Sequence, residues 1–284
     1  MEKIFYVKGK FVKESEAFVS PRDLGFLRGY GVFDFFEIIN GKPFYLKEHL
    51  KRFLNSAKIL KIEHSFSLKD LEKIVFETLK KNKNFKEGFV RMILTGGDSK
   101  DSLFAEKPNL YLFLEERKKL PQIFYQKGAK VITKIFSRIL PKAKSLCYTE
   151  SILNLKEAKK REALEVLLCT ERGEILEGIT SNFFAVIKNK VFTPPSEKIL
   201  EGVTRKIVFE ICKKLKIEIK ERKIFKKEIK SFDEAFISSS SKGILPITKI
   251  DKIKIGNKLG KITNMIIEEF EKIREKFAKN ENFS

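Results

Sequence analysis

Lys144 and Glu177 are the two residues of this chain best placed to share a reaction. Lys144 closes the irregular run SRILPKAKSL, between a predicted strand and a predicted helix, where side chains commonly project into clefts. A lysine amine attacks carbonyl carbon once desolvation or a nearby cation lowers its pKa. Among 59 Lys and Arg residues one lysine carries no weight alone, since most are solvated, and Lys142 is its nearest rival. Glu177 lies where EILEGITSNFFAV leaves a strand at a glycine. Turn glutamates are ordinarily exposed. Here Ile175 and Leu176 before it, and the NFFAV strand after it, set the turn against core. A carboxylate there is costly unless paired with a cation, and a protonated ring nitrogen is one such cation.

Two further stretches have the chemistry of anion holders. Gly202-Val203-Thr204, in LEGVT, puts backbone N–H groups and a hydroxyl at a predicted helix start, where the dipole favours phosphate. The run Ser238 to Ser241, including Ser239 and Ser240, supplies hydroxyls in a bend. Arg52, in EHLKRF, adds a bidentate clamp. Ordinary capping and turn formation explain each of these singly. Together they fit an electrophilic or phosphorylated cofactor better than a metal or a nucleotide. No metal site is expected: the only histidines are His49 and His64, and Cys147, Cys169 and Cys212 are far apart with no CxxC. Neither GxGxxG nor GxxxxGK[ST] occurs.

The elements that must position these residues divide into two domains. The 284 residues are 42% apolar and 12% aromatic, a globular composition. The charge of +21 invites a nucleic-acid-binding reading, yet the lysines are interleaved with glutamates, as in KEHLKRF and EEFEKIREKF, so they read as solvated faces. No stretch reaches the roughly 18 apolar residues of a membrane span, and no signal peptide stands at the start. A cytoplasmic protein with no membrane or nucleic-acid partner is expected.

In the first domain, IFYVKGKFV reads as a hairpin, VFDFFEII (32–39) as a buried strand, and Asn40-Gly41 as a turn. Residues 46–60 have helical spacing, and Ser67 with Asp70 opens a second helix as a capping box. Strands at 88–95 and 109–115 flank the loop 96–108. EERKKLPQ is charged and ends near proline. The expected layout is a first domain over 1–118, a linker over 119–122 and a second domain over 123–284. The second holds strands near 123–126 and 130–136, and a helix from YTESILNLKEAKKREA with Thr149 as its cap. Short strands, a helix from Val203, strands at 216–224 and 234–239, and a tail helix from Thr263 complete it. The class is α+β.

These segments resemble class IV (fold type IV) pyridoxal-phosphate enzymes: branched-chain aminotransferases, D-amino acid transaminases and 4-amino-4-deoxychorismate lyases. RGYGVFDFFEIINGKPFYLKEHLKRFLNSAKIL is similar to the family's glycine-rich entry, strand, hairpin and EHLxR helix, and KSLCYTESILNLKEA to its lysine segment. GEILEGITSNFFAV resembles the G-x-[IV]-x-E-G-x-x-S-N-[IVF]-F signature, while ILEGVTR and DEAFISSSSKGILPI match two phosphate-side motifs. The resemblance implies a small N-terminal α/β domain, a larger C-terminal pseudo-barrel α/β domain, and a homodimer with pyridoxal 5′-phosphate as cofactor. Lys144 would bind the cofactor covalently and move the substrate proton. Glu177 would pair with the ring nitrogen, Tyr148 with the ring oxygen. Arg52, Gly202, Val203, Thr204, Ser239 and Ser240 would hold the phosphate. Asparagine is usual in the family where this chain has Cys147.

Specificity residues depart from the branched-chain pattern. Phe33-Asp34-Phe35-Phe36-Glu37 lacks the glycine and arginine of F-E-G-I-R, and Thr95-Gly96-Gly97 lacks the arginine of T-R-G. Phe33 is a candidate for the substrate pocket, and Arg28 and Arg91 are candidates for the substrate carboxylate. LRGYG with LTGGDS is most similar to the subgroup that includes D-amino acid transaminases. The expected activity is transfer of an amino group between a branched-chain or D-type α-amino acid and a 2-oxo acid such as 2-oxoglutarate. Aminodeoxychorismate lyase is the alternative.

Overall fold

A computed structural model describes residues 2–105, 107–118, 120–256 and 259–279. The chain forms two compact units. The first comprises Met1–Lys118, Ala143–Cys147 and Phe277–Ser284, and the second comprises Lys119–Lys142 and Tyr148–Lys276.

The first unit is built on one antiparallel sheet. Its strands are β1 (Ile4–Val7), β2 (Lys10–Lys13), β3 (Gly31–Ile39), β4 (Lys42–Pro43), β5 (Gly88–Thr95) and β6 (Asn109–Glu115), in the order β2-β1-β6-β5-β3-β4. β3 pairs with β5 from Gly31↔Thr95 to Ile38↔Gly88. Asn40 and Gly41, at φ 50° and 75°, make the left-handed turn into β4 that an Asn-Gly pair favours. Helices α2 (Leu46–Ile59) and α3 (Leu68–Lys81) bury Leu50, Phe53, Ala57, Leu71 and Val75 with Phe36, Ile38, Val90 and Met92. The Ser67–Asp70 capping box opens α3. A short helix, α1 (Leu24–Arg28), lies inside the glycine-rich entry; Asp23 caps it and Gly29, at φ 65°, ends it.

Alternation along β3 sorts its side chains. Val32, Phe36 and Ile38 join the core beneath α2, and Asp34 shares their face. Phe33 and Phe35 take the other face, beside Arg91.

The second unit contains α4 (Ile123–Lys127), β7 (Ala129–Ile135), α5 (Thr149–Lys160), β8 (Glu165–Cys169), β9 (Glu174–Gly178), β10 (Asn182–Ile187) and β11 (Lys190–Thr193). There follow α6 (Val203–Lys214), β12 (Ile219–Glu221), β13 (Ile224–Phe225), β14 (Glu234–Ser239), β15 (Gly243–Ile250), β16 (Ile253–Lys254) and α7 (Lys261–Lys279). The sheet order is β12-β11-β10-β14-β15-β7-β8-β9-β13, with β16 on β15. A bridge, Gly178↔Ser181, joins β9 back to β10 and closes part of this path as a pseudo-barrel. Val131, Leu167, Ile175, Phe183, Ile237 and Leu245 fill one core. Ile132, Val166, Leu168, Leu176 and Ile179 pack with Ala158 of α5 in a second. The two-domain α+β architecture expected from the sequence is present.

Several boundaries differ from those expected. Residues 123–126 are helical: the Ile-Phe-Tyr run looks like a strand, but it starts just after Pro121 and stops at Gly128, φ 75°. Thr149 is the first residue of α5 rather than its cap, which is Tyr148. Residues 216–224 hold the short β12 and the first residue of β13, and the tail helix starts at Lys261. The second unit does not own all of 123–284. Ala143–Cys147 joins the first because Phe33 N–H donates to the Lys144 carbonyl at 2.8 Å and Leu146 N–H to the Gly31 carbonyl at 2.9 Å. At the tail, Phe277 meets Phe44 edge-on, with ring centroids 5.0 Å apart.

Candidate functional site

In the first unit the chemistry collects around β3 and α2. Lys144 is half-buried, with Nζ 4.4 Å from the Phe33 ring centroid, whereas Lys142 is exposed. Its backbone N–H donates to Ser56 Oγ (3.1 Å), and that hydroxyl donates to the Arg52 carbonyl (2.9 Å). One side chain thus ties the lysine segment to α2. The backbone of this segment fits because Gly31 has no side chain. A Cβ there would lie 2.6 Å from Leu146 Cδ1 and 2.9 Å from the Leu94 carbonyl.

Arg52 is clamped. Asp34, fully buried, accepts from its Nε at 2.9 Å and its Nη2 at 2.8 Å, and also contacts His49 Nδ1 at 2.7 Å. Spacing of i, i+3 on α2 turns His49 and Arg52 to the same side. Burial alone pushes the Asp34 carboxyl up, but the charges of Arg52 and His49 outweigh it and hold it well below the usual carboxylate range. His49 shifts down because burial, Arg52 and Lys144 oppose its charge more than Asp34 favours it. A neutral His49 with its proton on Nδ1 satisfies the carboxylate, which accepts only.

Of the candidates for a substrate carboxylate, Arg91 is occupied. It pairs with Glu115 and lies over Phe35, its guanidinium carbon 4.6 Å from that ring centroid and 5.4 Å from that of Phe33. Arg28 is exposed on α1 and donates to the Ser102 carbonyl at 3.2 Å. α1 is fixed by Asp23, fully buried, which accepts from Gly25 N–H (2.7 Å), Thr95 Oγ1 (2.8 Å), Asn109 Nδ2 (2.8 Å) and the Tyr111 hydroxyl (2.9 Å). Backbone bonds from Leu24 N–H to the Gly97 carbonyl and from Ser99 N–H to the Arg22 carbonyl tie the following loop to the same hub. Within that loop Asp101 Oδ1 accepts from Ser99 Oγ, Leu103 N–H and Phe104 N–H at 2.8–2.9 Å.

In the second unit Glu177 is buried at the end of β9. Arg138 Nε donates to its Oε1 at 3.1 Å, and Leu200 N–H to its Oε2 at 3.0 Å. Arg138 also donates to the Ile179 carbonyl and lies 5.3 Å from the Tyr148 ring centroid. Burial and the charges of Glu177 and Glu165 raise the Tyr148 phenol, against the pull of Arg138. Tyr148 is therefore a neutral hydroxyl at neutral pH.

Asn182 connects this carboxylate to the anion cradle. Its Nδ2 donates to the Leu200 carbonyl (2.8 Å) and lies 3.5 Å from Glu177 Oε2. Gly202, the buried cap of α6, has no side-chain cap bond, and a Cβ there would fall 2.0 Å from Asn182 Oδ1. Val203 and Thr204, also buried, open the helix. Ser239, which ends β14, and Ser240 after it are half-buried, and the adjacent Ser238 hydroxyl is buried without a partner. A buried, uncapped helix start is a phosphate-binding arrangement, and Glu177 suits a protonated pyridine nitrogen. These residues therefore fit pyridoxal phosphate.

Sequence reasoning named Lys144, Glu177, Arg52 and Gly202 but passed over Asp34, His49, Arg138 and Asn182. His49 and Arg52 were legible as an i, i+3 pair, and Asp34 as an acid on the apolar face of a strand. Arg138 had no local signal. Among the described residues no group of three or more His, Cys, Asp or Glu is poised for a metal, and no helix is long and apolar enough to cross a membrane.

A family model described as amino-transferase class IV matches residues 31–250. A Methanocaldococcus jannaschii protein provisionally named branched-chain-amino-acid aminotransferase is 33% identical, over 96% of this chain and 97% of its own. Aminodeoxychorismate lyase of Bacillus subtilis is 32% identical, over 93% and 92%. D-alanine aminotransferase of Staphylococcus epidermidis is 32% identical, over 96% and 98%. Among solved structures, the T.th. branched-chain amino acid aminotransferase with pyridoxamine 5′-phosphate superposes with a TM-score of 0.89 at 27% identity, covering 96% of this chain and 94% of that one.

Proposed function

The chain belongs to the class IV aminotransferase family, and we propose that it moves an amino group between an α-amino acid and a 2-oxo acid, with pyridoxal 5′-phosphate as cofactor. One observation carries the reading: Asn182 joins the buried, arginine-paired Glu177 to the uncapped start of α6. A carboxylate for a ring nitrogen and a cradle for a phosphate thus share one side chain. When bound, the cofactor supplies an electron sink that makes removal of a substrate Cα proton feasible.

The chain's residues divide that work. Lys144 would hold the cofactor covalently, and its Nζ, once displaced by the substrate amine, would take and return the Cα proton. Its place over the Phe33 ring keeps one side of the amine away from water. Glu177 would pair with the ring nitrogen, and Arg138 is its cationic partner in the protein. Arg52, held in a fixed orientation by Asp34, binds the phosphate with Gly202, Val203, Thr204, Ser239 and Ser240. Tyr148 would donate a hydrogen bond from its hydroxyl to the ring oxygen. Because Arg91 is committed to Glu115, its part is to brace Phe33 on the substrate side, and Arg28 is the residue for the substrate carboxylate. The working form is a homodimer, and three thiols without disulfides fit the cytoplasm.

The test is direct. Purified protein given pyridoxal phosphate should develop a visible absorption band that Lys144→Ala loses. A panel of L- and D-amino acids with 2-oxoglutarate should then discharge it. A protein that stays colourless defeats the reading. A second reading, aminodeoxychorismate lyase, rests on the 32% identity to the Bacillus subtilis enzyme. Pyruvate release from aminodeoxychorismate, with no turnover of any amino donor, would favour it.

A further inference from the structure

The second unit contains a buried ion pair that the proposed chemistry does not use. Glu165 opens β8 and is fully buried. Its Oε1 accepts from Val166 N–H at 3.1 Å. Its Oε2 gathers Ser181 Oγ (3.2 Å), Thr180 N–H (3.3 Å), the Thr180 hydroxyl and Lys242 Nζ (3.4 Å). The Lys242 side chain is 14% exposed, and its ammonium also donates to Thr180 Oγ1. Three separate pieces of chain meet at this one cation: the strand β8, the turn that follows Glu177, and the bend between β14 and β15.

That bend carries Ser239 and Ser240. Lys242 is fixed at both of its backbone ends, its N–H donating to Ser239 Oγ (3.2 Å) and its carbonyl accepting from the Tyr125 hydroxyl (2.9 Å). A rigid backbone and an anchored side chain leave the bend one position relative to the Thr180 turn. Thr180 is the second residue after Gly178, and the carbonyl of Ile179 between them is held by Arg138, the partner of Glu177. The lysine therefore links the serine hydroxyls to the carboxylate strand through fixed contacts.

We propose that Lys242 is a positioning residue: its ammonium, neutralised by Glu165, pins the Ser239–Ser240 bend to the Thr180 turn so that the two proposed cofactor anchors keep a fixed separation. This rests on the reading of Ser239 and Ser240 as phosphate ligands. A lysine is suited to the task because a buried ammonium has three donors and no tolerance for being left without acceptors. The same burial makes its loss specific: removing the cation strands Glu165 and unties the bend from the Thr180 turn, while its backbone bonds to Ser239 and Tyr125 remain.

Fluorescence titration of cofactor-free protein with pyridoxal 5′-phosphate and, separately, with pyridoxal, which lacks the phosphate, tests the role. Lys242→Met should weaken pyridoxal phosphate at least about tenfold, the scale on which losing an outer hydrogen-bond partner weakens a ligand site. Pyridoxal affinity should change less than about twofold. Lys242→Met/Glu165→Gln, which leaves no buried charge uncompensated, should show the same selective loss and keeps the test open should the single variant fail to fold. Equal loss for both ligands, or no loss for either, would overturn the role of Lys242 and leave the cofactor reading intact. Wild-type protein that binds neither ligand would bring down the cofactor reading, and with it this one.

Discussion

Arg138 and Glu177 form a buried pair in which the arginine reaches the carboxylate with Nε and the Ile179 carbonyl of the next turn with Nη2. The arginine side chain is 15% exposed and the glutamate 5%. Removing one member of such a pair leaves a charge in low dielectric, a loss of about 3–5 kcal/mol. Arg138→Met should therefore lower cofactor-free stability by about 3 kcal/mol in urea unfolding. Glu177→Gln added to it should recover much of that loss. A wild-type unfolding midpoint in the single variant would contradict the pairing.

Asp34→Asn keeps the volume but removes the acceptor pair that orients Arg52. Two charge-assisted bonds inside a core make this costly, on the order of 3 kcal/mol. The functional effect should exceed the stability effect: pyridoxal phosphate affinity falls while pyridoxal affinity holds, measured by titration of the folded variant. Arg52→Lys should behave in the same direction, because an ammonium has no fork to match the carboxylate.

Acid should destabilise the first unit in two windows. His49 has a folded pKa below its ordinary 6.5, so the unfolded chain binds a proton that the folded chain refuses. Stability from this group is full above 6.5 and falls as pH drops below it. Asp34 acts in the same sense below its ordinary 3.8. Thermal unfolding followed from about pH 7 to about pH 5 should show a falling midpoint that His49→Gln flattens.

Gly202→Ala tests the link between cradle and carboxylate. Its backbone, at φ −67°, suits any residue, so the effect is one of space alone. The added methyl lands on Asn182 Oδ1 and displaces the side chain that also meets Glu177. Pyridoxal phosphate affinity should fall at least about tenfold, with stability reduced by about 1–3 kcal/mol, the range for overpacking. Asn182→Ala/Gly202→Ala, which makes room for the methyl, should regain stability without regaining affinity.

Much of the fold was legible because it is local. The Asn40-Gly41 turn, the apolar face of α2 and the capping box of α3 each declare themselves within a few residues. Glu177 was legible as a carboxylate needing a cation, since apolar residues flank it. The cation was not, because Arg138 is 39 residues away in sequence and comes near only because β7 and β9 both pair with β8. Asp34 was hidden for a related reason: an acid among phenylalanines reads as a strand edge until α2 lays His49 and Arg52 over it. The Ile123–Lys127 stretch misled through its composition. Its aromatic and branched residues favour strands, and only the bonds that follow Pro121 make it helical.

The Asp23 hub divides the Gly97–Ala105 loop into a stem and a tip. The stem is fixed by backbone bonds at Gly97 and Ser99, while the tip, with Leu103 and Phe104 exposed, is shaped by Asp101 from within its own few residues. A segment built this way is a cassette. Its one bond to a proposed substrate residue, among those described, is at the Ser102 carbonyl, which accepts from Arg28. Variation confined to residues 100–105 therefore acts on Arg28 through a single backbone carbonyl.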